Sequence, residues 1–278
     1  MKLHLESGSR RREEAERCRG DVVCLVTSAA TRLVCLLLAC SFASVVTAQP
    51  EPATPETEGR QLAARLISLR PAENTSHSGL LQIRDASGKR REIPVALTTT
   101  LTAAGWQSSY TVVGATNVKD SLVVVHTAEQ PNQYFRAPQP TPASSPQTVR
   151  VEPVGGNAVM TPFAGTDFWL ADLGLEFLHW PAQRVIKKEM RRGEWCHVLE
   201  SVNPRPAPGA YTRVVSWIDL DTGGIIHADA YAQGKNPLKV FEPKKFQKVN
   251  GRWEVKSLEI RNEQDDTRTT LLFDVPAK

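Results

Sequence analysis

The chain has 278 residues, 41% of them hydrophobic, and a formal charge of only +4. That size supports one sizeable core or two small ones, and so small a charge supplies no electrostatic footprint for nucleic acid. Of its five cysteines only Cys196 lies beyond residue 40, which leaves no internal disulfide and no cysteine zinc site once the N-terminal segment is set aside.

Residues 1–48 read as a secretory signal peptide. An apolar run from Leu33 to Ala48 follows Arg32 and an arginine-containing stretch, and Val46 and Ala48 are the small residues of a cleavage site before Gln49. Sixteen apolar residues fall short of the ~20 that span a bilayer. Export with cleavage is the expectation. The alternative is a membrane anchor, through a retained leader or through Cys40, which ends a lipobox-like Leu37-Leu38-Ala39-Cys40.

Residues 49–58 are rich in Pro, Glu and Thr and are expected to be a flexible tether, followed by a single domain over 59–278. A helix is predicted from Gly59 to Arg70, with Leu62, Leu66 and Leu69 at helical spacing and Pro71 after them. Alternating segments then predict strands over Ser78–Asp85, Lys89–Leu101, Trp106–Val113 and Leu122–Val125. The proline-dense stretch 137–146 excludes a regular element and is read as a loop within one domain. A second helix is predicted between Pro162 and Pro181, with Phe168, Trp169, Leu173, Phe177 and Leu178 as its apolar stripe. Asp172 and Glu176 would form its polar face.

The last hundred residues read as consecutive hairpins: Arg184–Met190 with Trp195–Ser201, Tyr211–Leu220 with Ile225–Ala232, and Leu238–Val249 with Trp253–Arg261. The turn of the last is Asn250-Gly251, and a final strand covers Arg268–Val275. Two amphipathic helices and many antiparallel strands place the chain in the α+β class.

Catalytic constellations are not evident. Cys196 and His197 are neighbours on a strand and point to opposite faces, so they cannot act as nucleophile and base together. His179, His197 and His227 have no second ligand at a diagnostic spacing, so no metal is expected, and no nucleotide or phosphate motif implies a cofactor. No enzyme is predicted. Six tryptophans, five of them after Met160, supply either wide core side chains or the wall of an apolar cavity.

Several segments together carry a resemblance. They are Gly165-Thr166-Asp167-Phe168 with Asp172-Leu173, Cys196-His197-Val198-Leu199-Glu200, Tyr211 to Asp219, Gly251-Arg252-Trp253 with Glu259-Ile260-Arg261-Asn262, and Thr267 to Leu271. In this order they resemble the LolA-like family of outer-membrane lipoprotein-sorting proteins, over about 110 C-terminal residues. The resemblance implies a curved antiparallel sheet forming an incomplete half-barrel, with covering helices in its concave side. It further implies a periplasmic carrier that shields the acyl chains of lipids or lipoproteins and works with envelope transport partners. The alternative is an envelope sensor or interaction protein on the same fold. Under this reading Trp169, Leu173 and Phe177 belong to a cover, and Val215, Trp217, Leu258 and Ile260 to the cavity wall.

Overall fold

The computed structural model describes residues 54–114, 120–127, 130–137, 151–249 and 252–274, and no side chain over 247–254. The expected leader, nearly all of the proline-rich loop and the Asn250-Gly251 turn lie outside the described residues. Those described all fall in the unit Pro50–Lys278.

Among the described residues thirteen strands form one antiparallel sheet. The first arm is a meander of β1 (Thr75–Arg84), β2 (Arg90–Leu101), β3 (Gly105–Val112), β4 (Ser121–Thr127), β5 (Gln133–Arg136) and β6 (Glu152–Val154). The second contains β7 (Ala182–Arg191), β8 (Glu194–Val202), β9 (Arg213–Asp219), β10 (Ile225–Tyr231), β11 (Lys239–Val249), β12 (Arg252–Asn262) and β13 (Thr267–Phe273). Each strand pairs with its chain neighbour within its arm, and the arms join where β1 pairs with β13, from Gly79 opposite Phe273 to Arg84 opposite Arg268. The two edge strands, β6 and β7, do not meet, so the sheet is curled and unclosed, as the half-barrel expectation required.

Local chemistry explains the strands. Ile93, Val95 and Leu97 on β2 alternate with less buried residues and enter the core. The β7–β8 hairpin turns on Arg192 and Gly193, both with positive φ, which matches the twist of flanking strands. Register shifts at Val185/Lys187, Ile225/His227 and around Pro243–Phe246 are bulges, and bulges bend a sheet. Pro243 sits at one of them, where a missing N–H costs least. The edge strand β7 carries Lys187 and Lys188, charges that oppose pairing with another chain. Two short strands, β5 and β6, were not expected.

Helix α1 (Pro55–Ile67) begins inside the segment read as a tether. The Thr54 side chain accepts from the Thr57 amide, Pro55 occupies the first turn, and Glu56 and Glu58 complement the helix dipole. It buries Gly59, Leu62 and Ala63. Leu69, expected on the same stripe, lies past the helix end and is 62% exposed.

The predicted helix between Pro162 and Pro181 is not continuous. Only α2 (Leu170–Leu173) is α-helical, followed by a 3-10 turn over Glu176–His179. Left-handed backbone at Ala164, Gly165 and Leu175 breaks the rest. The apolar content is nonetheless used. Phe163, Phe168, Leu170 and Ala171 enter a core cluster with β1, β2, β4 and β5, while Phe177, Leu178 and Trp180 enter a second with α1 and β7–β10. Gly174 permits this close packing, because a Cβ there would lie 2.2 Å from the Tyr134 hydroxyl.

Candidate functional site: an apolar hollow with one polar end

A cavity of about 510 Å³ opens on the concave side of the sheet. Leu66 and Ile67 of α1 contribute to one wall, and Leu173–Leu175, Leu178 and His179 of the broken helical segment to another. Phe241, Leu258, Leu271 and Phe273 reach it from β11, β12 and β13, and Trp106, Tyr110 and His126 from β3 and β4. The volume lies within the ~300–1,000 Å³ typical of small-molecule sites, and the lining is mostly apolar, as such sites are.

Polar groups concentrate where β3 and β4 reach the hollow. Trp106 stacks on the His126 ring, centroids 4.7 Å apart. His126 Nδ1 lies 2.9 Å from Asn132 Oδ1, and His126 Nε2 lies 3.2 Å from Ser108 Oγ. Asn132 Nδ2 donates to the Gly174 carbonyl at 2.6 Å, which fixes the amide orientation. His126 therefore carries its proton on Nδ1, and the Ser108 hydroxyl donates to Nε2. Burial holds His126 down to about 4 and pulls His179 below the usual histidine range. Tyr110 donates to the Leu173 carbonyl at 3.2 Å, and burial pushes its hydroxyl up to about 12.

Beneath the hollow lies a buried ionic cluster. Lys239, 2% exposed, donates to the Asp167 carbonyl at 2.6 Å and sits 3.6 Å over the Trp169 ring and 3.9 Å from the Asp172 carboxylate. Asp172 accepts from the Tyr211 hydroxyl at 3.1 Å and the Trp169 amide at 2.8 Å. Burial is the larger influence on both ions: it lowers Lys239 to about 8 and raises Asp172, and each partner opposes the shift of the other. Asp172 and Glu176, expected on a solvated face, turn inward and accept from Tyr211 and Tyr134.

The structure distributes the seven cavity candidates over three places. Leu173 and Leu258 line the hollow. Phe177 and Ile260 border a separate void of about 20 Å³, no larger than a water or so. Trp169 stacks on Tyr211 at 4.4 Å and is a packing residue. Val215 and Trp217 face away from the hollow, in a cluster with Cys196 and Val198. On β9 it is Val214 and Ile218 that pack inward. That strand is buried on both faces, with the charged Arg213 and Asp219 only at its ends, so its alternation marks the outside weakly. Arg191, 4.2 Å over the Trp217 ring, covers the outer face.

The metal and catalytic candidates also separate. Cys196 is buried on the outer face, whereas the His197 ring lies 3.4 Å from Glu58 of α1 on the inner one. His227 sits on the outer face against Trp217, between Asp229 at 2.8 Å and Glu242 at 3.0 Å. Among the described residues, Glu194, Asp219 and Asp221 bring carboxylates within 4.8 Å of one another. Asp219 there accepts from the Asp221 and Thr222 amides, which is turn chemistry. Ser108, His126 and Asn132 carried no sequence signal, since only the pairing of β3 with β4 brings Ser108 beside His126.

No curated protein matches the chain. A family model described only as an uncharacterized protein matches residues 145–276. Solved structures are more informative. A DUF1329 family protein from Desulfovibrio piger is 18% identical, with a TM-score of 0.63 over 81% of this chain and 95% of that one. A domain described as an outer membrane lipoprotein-sorting protein, from Vibrio parahaemolyticus, is 16% identical, with a TM-score of 0.64 over 78% and 91%. A LolA superfamily protein from Nitrosomonas europaea is 11% identical, with a TM-score of 0.56 over 78% and 94%.

The chain has the LolA-like fold.

The structural likeness reaches well beyond the C-terminal residues that carried the resemblance in sequence, because 78–81% coverage must include much of the first arm. The quoted segments have a physical role in the LolA-like fold of this chain. The Asp167 carboxylate accepts from the Thr267 hydroxyl at 2.5 Å and from that of Thr269 at 2.7 Å, joining residues a hundred positions apart. No helix among the described residues is long and apolar enough to cross a membrane.

Proposed function

We propose that this LolA-like protein is an exported, periplasmic carrier that shelters acyl chains of lipids or lipoproteins in the hollow, acting by binding and not by catalysis. The observation that carries the reading is the hollow itself. It is an apolar space of about 510 Å³ left between two core clusters of buried residues. Burying a chain there is worth ~0.8 kcal/mol per CH₂, so affinity follows from area and needs no reactive group. Its relatives in fold include a domain whose description is lipoprotein sorting, which supports the same reading.

Admission of a chain requires a cover to move. Helix α1 is the candidate, because Leu66 and Ile67 close one side of the hollow while α1 is tied to the sheet mainly by packing.

The test is purification of the exported chain, native mass spectrometry and extraction of bound lipid. Fatty-acyl species that co-purify and exchange with added lipid are expected, together with a new N-terminus at Gln49. A protein that carries no acyl species and takes up none from mixed vesicles would overturn the carrier reading. A retained leader would place the same site on a membrane anchor.

A further inference from the structure

The hollow has an apolar wall and one polar end, and the chemistry of that end is selective. Ser108 gives its hydroxyl proton to His126 Nε2, so its lone pairs face the hollow as acceptors. A neutral His179 adds one donor and one acceptor. Among the described residues no lysine or arginine lines the hollow, and its single ionisable carboxylate is Asp172. An anionic head would be moved from water into this space without a countercharge, which is costly. A hydroxyl, ester or amide head would instead find partners for its hydrogen bonds.

Ser108, His126 and Asn132 stand in the order of nucleophile, base and orienting amide. Two observations turn them away from catalysis. Burial makes His126 a weak base at neutral pH. Ser108 lies within β3, which is paired on both sides by β2 and β4, so the backbone amides around it are engaged in the sheet and are not free to hold an oxyanion.

We infer that the hollow selects amphiphiles by an uncharged, hydrogen-bonding head, such as the glycerol hydroxyls of a monoacylglycerol, seated against Ser108, His126 and His179 with the chain along the apolar wall. This inference rests on the carrier reading and deepens it by naming the class of head.

The experiment measures binding of 1-monopalmitoylglycerol and of palmitate to the mature chain at pH 7.5, by intrinsic tryptophan fluorescence and native mass spectrometry. Monopalmitoylglycerol is expected to bind about tenfold more tightly, the worth of roughly one satisfied hydrogen bond. Ser108→Ala should remove most of that preference by weakening monopalmitoylglycerol and leaving palmitate unchanged. His126→Phe, which retains a ring to stack on Trp106, should do the same and guards against a folding artefact in the first variant. Equal affinities unaffected by either variant, or tighter binding of palmitate, would overturn the head selectivity and leave the carrier intact. Failure of both ligands to bind would remove the carrier reading too. Release of palmitate and glycerol by added water, lost in Ser108→Ala, would replace both with an esterase.

Discussion

The stretch 162–180 and helix α1 both pack on the concave face of the sheet, yet they are held by different forces. The first is fastened by buried polar groups. Asp167 accepts from Thr267 and Thr269, Lys239 donates to the Asp167 carbonyl, Asp172 accepts from Tyr211, and Gln183 donates to the Phe177 and Trp180 carbonyls at 2.9 and 2.8 Å. The second rests on the apolar contacts of Leu62 and Ala63. Its polar ties are few: Glu58 with Lys188 at 3.5 Å and with His197 at 3.4 Å, and beyond the helix end a bond from Arg70 to the Thr102 carbonyl at 2.7 Å. A cover whose removal would strand buried charges stays in place, and one held by packing can lift. On the carrier reading proposed above, 162–180 is the fixed floor and α1 the cover that lifts.

The contrast breaks first at Asp172. Replacing it with Ala leaves Lys239 and the Tyr211 hydroxyl buried without their partner, and urea unfolding should show a loss of about 3–5 kcal/mol. A loss below about 1 kcal/mol would mean the two covers are held alike.

Gly59→Ala addresses the other cover. A Cβ at this position would lie 2.4 Å from the Arg184 Cα, a backbone atom that cannot step aside. Overpacking of this kind costs about 1–3 kcal/mol. The expected result is faster hydrogen exchange of amides in residues 55–67, with protection of the sheet retained. Equal loosening of 162–180 would unite the covers that the contrast separates.

Titration of the hollow gives a smaller effect. The folded-state pKa of His126 is depressed to about 4 from 6.5, so its contribution to stability is complete above about 6.5 and is lost as pH falls through 4. His126→Phe should flatten that slope in melts between pH 7 and pH 4. An unchanged slope would show that His126 is solvated in the folded protein. The smallest effect is expected from Glu58→Gln, which alters the long, half-buried pairs of α1 with Lys188 and His197 and should change stability by less than about 1 kcal/mol. A larger loss would show that α1 is fastened by charge after all.

Much of the fold was legible because its signals are local. The period of two in Ile93, Val95 and Leu97, and the turn residues between hairpins, placed most of the strands to within a few residues. The segment 162–180 looks like one helix in sequence because its stripe of Phe168, Trp169, Leu173 and Phe177 has helical spacing. Nothing in its composition announces a left-handed Ala164 or Leu175, conformations that tertiary contacts hold. The polar end of the hollow was not legible at all, for Ser108 and His126 are 18 residues apart and become neighbours through strand pairing.

Sequence alone determined that this chain makes a strand-rich α+β fold, since alternation and turn chemistry act over a handful of residues. Tertiary structure decided which side of each strand faces inward. A period of two specifies parity only where one face is polar, and β9 is buried on both, with Val214 and Ile218 inside and Val215 and Trp217 outside. The hollow likewise is a tertiary product: two clusters that share Phe241 and Met160 leave it between them, and residues from α1, the 162–180 stretch and both arms of the sheet line it.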